Sequence, residues 1–182
     1  VASNFFNLGS SLAGLMAYED VRSAEFLASL PEVDKTKIGA LGFSMGAFRA
    51  WQVAALTDTV SCAVSICWIT TIKGVMVPGN NILRGQSAYF MLHPGVFNYF
   101  DFPDIASIAC PKPMLFFNGS KDSLFPVDSV KEAYDKMKRV WDSQNASDKL
   151  TTKIWEDQGH VFIDIMQEEA FSWLDKNLKN KK

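Results

Sequence analysis

Residues 42–46 of this 182-residue chain read Gly-Phe-Ser-Met-Gly, with an apolar run before them and an alanine-rich run after. A G-x-S-x-G pentapeptide gains meaning from such a setting, where a strand turns sharply into a helix and holds the serine at its tip. The turn strains the backbone of Ser44. Side chains at positions 42 and 46 are expected to collide with neighbouring backbone, so glycine is expected at both. The Oγ of Ser44 would then stand at the carboxyl end of a sheet. The N–H of Met45, at the helix N-terminus, is a candidate oxyanion donor. Taken alone, the pentapeptide is also compatible with Ser44 as a simple helix cap.

The rest of the chain alternates strand-like and helix-like segments. Leu12 to Leu30 is expected to be a helix, ended by Pro31, because proline disfavours helical geometry in the residue before it. Lys37 to Phe43, Val60 to Trp68, Met114 to Asn118 and Leu150 to Trp155 are apolar enough and short enough for strands. Met45 to Leu56 is the helix after the pentapeptide. Val130, Ala133, Tyr134, Met137 and Trp141 recur at helical spacing, as do Phe162, Met166, Ala170, Trp173 and Leu174. This alternation predicts an α/β fold with a parallel sheet between helical layers, in one domain over 1–182. The stretch from about 69 to 109 has little periodicity and carries Gly74, Pro78, Gly79, Gly85, Pro94, Gly95 and Pro103. Its rings, Tyr89, Phe90, Phe97, Tyr99, Phe100 and Phe102, favour an ordered cap over a loose linker.

A net charge of −2 gives no electrostatic reason to expect a nucleic-acid or anionic-membrane partner. No apolar run approaches the roughly 18 residues of a membrane helix. Lys176, Lys179, Lys181 and Lys182 fit the end of a helix, where cations complement its dipole, better than an anion site. Three cysteines, Cys62, Cys67 and Cys110, are too few and too odd for a disulfide framework. Buried thiols fit better, with Cys62 and Cys67 on opposite faces of one strand. There is no His/Cys cluster and no glycine-rich phosphate loop, so neither a metal nor a cofactor is expected.

A serine hydroxyl needs a general base, and the chain has two histidines. In α/β-hydrolases the order is nucleophile, acid, base, with the base after the last strand. His160, in Asp157-Gln158-Gly159-His160, fits that order. His93 lies in the long stretch before Pro94 and is expected to be a cap or loop residue, with an approach to the substrate as the alternative. The base needs a carboxylate to hold its tautomer. Asp122 follows the third strand, where ligands bind in open α/β sheets. Asp128 is better explained as a cap of the next helix, and Asp157 as a surface or turn residue.

Several stretches resemble the α/β-hydrolase branch that contains dienelactone hydrolases and acetyl xylan esterase-like carboxylesterases. They are Tyr18 to Ala24, Leu30 to Asp34, Lys37 to Gly39, Gly42 to Gly46, Ala55 to Asp58, Cys67 to Thr71, Pro111 to Pro113, Gly119 to Pro126 and Gly159 to Phe162. The resemblance implies a serine carboxylic-ester hydrolase working through an acyl-enzyme, with Ser44, His160 and Asp122 as triad and a small-molecule or carbohydrate ester as substrate. Dienelactone hydrolases use cysteine as nucleophile, so serine here favours an esterase. By position, Trp68 and Thr70 would line the acyl pocket, with core packing an equal alternative for Trp68. A peptidase of the prolyl oligopeptidase type shares this catalytic domain, and a non-catalytic α/β module could keep the fold. An intact set of Ser44, Asp122 and His160 weighs against the latter.

Members of this branch carry about four strands before the nucleophile strand. Here 43 residues precede Ser44, and they read as loop plus one helix. The N-terminal strands and the loop that gives the second oxyanion N–H are therefore expected outside this chain. The chain is expected to be part of a longer enzyme, or else to be completed by a neighbouring copy at an exposed sheet edge. By itself it is expected to be weakly active or inactive.

Overall fold

The computed structural model describes residues 1–78, 80–81 and 86–179. Gly79, Gly85, Lys181 and Lys182 lie outside them. Helix α1 spans Ala2–Asn7 and α2 spans Leu12–Ser29. Ser11 caps α2 by accepting the Gly14 N–H at 2.9 Å, and Leu30 leaves it with extended geometry, as a residue before proline should. Strand β1 (Gly39–Phe43) leads through Ser44 into α3 (Met45–Leu56), and β2 (Cys62–Ile66) comes next.

The cap-like stretch is built from short pieces. These are α4 (Ile72–Val75), a small antiparallel pair of β3 (Met76–Val77) with β4 (Asn80–Asn81), α5 (Gln86–Met91), a 3₁₀ turn at Val96–Asn98, and α6 (Phe102–Ser107). Asp101 and Asp104 form a reciprocal capping box on α6. This stretch is anchored at Thr71, whose N–H donates to Ser129 Oγ at 3.2 Å. Gly74 sits so close that a Cβ there would lie 1.9 Å from Ser129 Oγ. Strand β5 (Met114–Gly119), α7 (Val127–Ser143), β6 (Leu150–Trp155) and α8 (Asp164–Lys179) complete the fold.

The main sheet is parallel throughout, in the order β1-β2-β5-β6. Register places Phe43 beside Ile66 and Ile66 beside Phe117, so the strands end in line. The loops that leave these strands therefore converge on one edge of the sheet. Alternation sorts the two faces. Met114 and Phe116 join Phe48, Trp51, Phe102, Met137 and Trp141 under α3, α6 and α7. Leu115 and Phe117 join Val64, Ile66, Met166 and Ala170 under α8.

Cys62 and Cys67 were expected on opposite faces. Both instead face the α8 side. A Cβ at Gly39 would meet Cys62 Sγ at 3.3 Å and Leu178 at 3.2 Å, and Cys67 packs with Val64 and Ile66. The strand stops at Ile66, and a φ of 57° at Cys67 redirects its side chain. Asp128 is not a cap either. Pro126 occupies the N-cap of α7, and Asp128 lies in the first turn, where its charge complements the helix dipole. Asp157 lies in an exposed turn, paired with Lys121 at 2.7 Å. Among the described residues, β1 pairs with β2 alone and so stands at the edge of the sheet. A groove of about 410 Å³ beside it is lined by residues including Leu27, Leu41, Gly46 and Arg49. Among the described residues, no helix is long and apolar enough to cross a membrane.

Candidate active site

Ser44 has φ 55° and ψ −121°, a strained conformation for a residue with a side chain. Its N–H donates to the Ile66 carbonyl at 2.8 Å, which locks the turn to the neighbouring strand. Its carbonyl accepts from Ala47 N–H at 2.9 Å and Phe48 N–H at 3.1 Å, which starts α3. The hydroxyl makes no capping bond, so it is not spent on the helix. The turn requires glycine at 42, where a Cβ would lie 2.0 Å from the Gly46 carbonyl carbon and oxygen. At Gly46, by contrast, no atom beyond its own helix lies within 4 Å of where a Cβ would stand, so nothing among the described residues outside α3 forces glycine there. Gly46 faces the open groove beside β1 instead.

His160 Nε2 lies 2.8 Å from Ser44 Oγ, and its Nδ1 lies 2.8 Å from Asp122 Oδ2. Asp122 Oδ1 accepts the Leu124 N–H at 2.9 Å, and its side chain is fully buried. Hydroxyl, imidazole and carboxylate thus form one continuous row across 116 residues of sequence. Such a row can move a proton off the hydroxyl while the carboxylate fixes the ring tautomer. The N–H of Met45 belongs to the first turn of α3, whose N–H groups have no intrahelical acceptor. That turn presents a donor and the positive end of a helix dipole beside Ser44.

The loops after β5 and β6 are zipped together. Ser120 N–H donates to the Trp155 carbonyl at 3.0 Å, Lys121 N–H to the Gln158 carbonyl at 2.8 Å, and Asp157 N–H to Ser120 Oγ at 2.9 Å. Rings then flank the imidazole. Phe43 stands 4.9 Å from it and Phe125 stacks on it at 5.9 Å. Neither ring is singled out by the sequence pattern. Phe43 had a local signal, since it precedes Ser44 on the last residue of a strand. Phe125 had none.

Trp68 and Thr70 do not reach the open surface near Ser44. Trp68 is 1 % exposed and packs among Phe48, Trp51, Phe102 and Phe125. It backs the Phe125 ring that lies on His160. Thr70 is fully buried, with its hydroxyl 2.7 Å from Ser129 Oγ. Core packing accounts for both. His93 stands away from the row, with its Nε2 2.5 Å from the Gln52 side-chain amide, and burial lowers its pKa.

Cys67, expected only to be a buried thiol, joins the row from the side. Its Sγ and the ligand-type atoms of Asp122 and His160 all lie within 4.8 Å of one another. Burial first, and the Asp122 charge second, push its pKa up to about 11, so the thiol stays protonated. Those residue types also suit a metal ion. Here, however, Asp122 and His160 are hydrogen-bonded to each other.

The model of the dienelactone hydrolase family matches residues 14–177. YtaP of Bacillus subtilis (strain 168), provisionally named a hydrolase, is 27 % identical over 168 residues, covering 92 % of this chain and 55 % of its own length. A family 15 carbohydrate esterase, the glucuronoyl esterase of Caldicellulosiruptor kristjansonii, superposes with a TM-score of 0.72 at 14 % identity, over 91 % of this chain and 50 % of that one. A Bacteroides fragilis NCTC 9343 protein provisionally titled an acetyl xylan esterase gives 0.66 at 18 % identity, over 85 % and 39 %. The fold is that of the α/β-hydrolases, and the chain spans about half the length of the relatives it matches.

Proposed function

Because this chain belongs to the dienelactone hydrolase family, we propose that the protein is a serine-dependent carboxylic-ester hydrolase acting on short acyl groups. The observation that carries the reading is the unbroken row of Ser44, His160 and Asp122, joined by two contacts of 2.8 Å. In this reading Ser44 Oγ attacks the acyl carbonyl while His160 Nε2 takes the hydroxyl proton. The tetrahedral oxyanion is held by the Met45 N–H. Collapse breaks the ester C–O bond, and His160 returns the proton to the leaving alcohol. Water then enters, gives a proton to His160 and displaces Ser44 from the acyl-enzyme. The Ser44 oxygen recovers its proton from His160 as the carboxylic acid leaves. Asp122 stays ionised and stabilises the imidazolium in each half-reaction.

The short acyl group is the part of this reading carried by the resemblance to acetyl xylan esterase-like carboxylesterases.

The test is fluorophosphonate labelling of the full-length protein, with the modified residue mapped, alongside hydrolysis of p-nitrophenyl acetate and octanoate. Labelling at Ser44, faster acetate turnover, and loss of both in Ser44→Ala are expected. Undiminished turnover in Ser44→Ala would overturn the serine mechanism, and faster octanoate turnover would overturn the short-acyl assignment.

A further inference from the structure

The residue directly after β2 has no part in the proton transfers at Ser44, yet it is built into their machinery. Cys67 has φ 57°, in the left-handed region that residues with side chains rarely adopt. Its N–H donates to the Phe117 carbonyl at 2.7 Å, so the unusual backbone is clamped to β5. The conformation turns the side chain off the strand's alternation and beside the His160–Asp122 pair. There the thiol is 1 % exposed, and its S–H donates to the Val161 carbonyl at 3.5 Å. Val161 is the residue immediately after His160. The acidic loop is held from several sides, by Leu124 N–H on Asp122 and by the bonds that Ser120 and Lys121 make to the loop after β6. On the far side of the histidine, Val161 and Phe162 pack with Val64 and Ile66 of β2, and the thiol adds a directed bond to that packing.

Chemistry favours a thiol in that place. A neutral, weak donor can bond Val161 without competing with Asp122 for the Nδ1 proton. Burial and the nearby carboxylate keep it in that neutral form.

We propose that Cys67 is a positioning residue: its thiol braces the backbone after His160 against the end of β2 and so sets the imidazole between Ser44 and Asp122. The proposal rests on the serine-hydrolase reading. It predicts an effect on the rate of the step at Ser44 and not on substrate affinity, because Cys67 is buried away from the substrate.

The experiment compares Cys67→Ala and Cys67→Ser in the full-length protein, reading kcat and KM on an acetyl ester, the fluorophosphonate labelling rate and Tm. Misplacement of a catalytic group by about 1 Å can cost about 10² in rate. Cys67→Ala is therefore expected to lower kcat and labelling roughly tenfold or more, with KM within about twofold. Cys67→Ser is expected to recover part of both, because its O–H can donate to the same carbonyl. Wild-type kcat in Cys67→Ala would overturn the proposal, as would a serine variant no better than the alanine one at matched Tm. Should Cys67→Ala fold poorly, the same split between kcat and KM is read in Cys67→Ser, and an unchanged kcat there with a raised KM overturns it. Absence of any label on wild-type Ser44 would strike the serine-hydrolase reading instead, before Cys67 is tested.

Discussion

Gly119 lies against Gln158 backbone to backbone: a Cβ at position 119 would sit 2.3 Å from the Gln158 carbonyl oxygen and 2.4 Å from that of Gly159. The loop that carries Asp122 and the loop that carries His160 therefore meet without a side chain between them. Gly119→Ala is expected to push the loops apart and lengthen the Asp122–His160 contact. The expected result is a fall in kcat of up to about 10² with KM little changed, measured on an acetyl ester. Wild-type kcat in this variant would show that the close approach does not set the site.

The two glycines of the pentapeptide should behave oppositely in the 182-residue chain. Gly42→Ala must displace the Gly46 carbonyl, only 2.0 Å from the new Cβ, and is expected to lower Tm steeply. Gly46→Ala meets open space in the first turn of α3 and is expected to be neutral or to stabilise by up to about 1 kcal/mol. Chemical denaturation of both variants beside the parent chain checks this.

Asp122→Asn keeps the size of the side chain and removes its charge. The amide can then donate to Nδ1 and favour the wrong tautomer of His160. A fall in kcat of about 10⁴ is expected, with the fold retained. Steady-state kinetics with a circular-dichroism control measures it.

His93 gives a pH-dependent stability. Burial lowers its pKa from the ordinary 6.5, so the folded protein resists protonating it more than the unfolded chain does. Its neutral form is fully accommodated above about pH 6.5. Stability is then lost as pH falls from that value toward the lowered folded one. Urea denaturation between about pH 8 and pH 5 is expected to show this loss in the parent chain and a smaller one in His93→Gln. Equal slopes in the two proteins would be the contrary result.

Much of the fold was legible because each element of the main sheet has a self-contained pattern. The four strands, the helix after Ser44 and the buried row from Val130 to Trp141 follow from periodicity and from Pro31. The stretch from about 69 to 109 showed no period in the sequence, since its described pieces are too short to have one. Thr71 and Gly74 meet Ser129 from 58 and 55 residues away, and no local pattern announces that. Strand position put Thr70 beside the substrate and left Trp68 evenly between the acyl pocket and the core, because position along a strand does not say how deep the surrounding layers bury a side chain.

By itself, the sequence determined the type and order of the main elements, and it nominated Ser44, Asp122 and His160 by their places after strands. That is local information: backbone strain, hydrophobic period and loop position are all set by near neighbours. Only the tertiary structure decided that these three side chains touch, that Phe43 and Phe125 flank the imidazole, and that Cys67 stands beside it. Those facts depend on the register of parallel strands and on the positive φ at Cys67. Both arise from packing between segments far apart in the chain. The same holds for the two glycines that looked equivalent. Gly42 is pressed by the first turn of α3, while Gly46 faces the open side of β1.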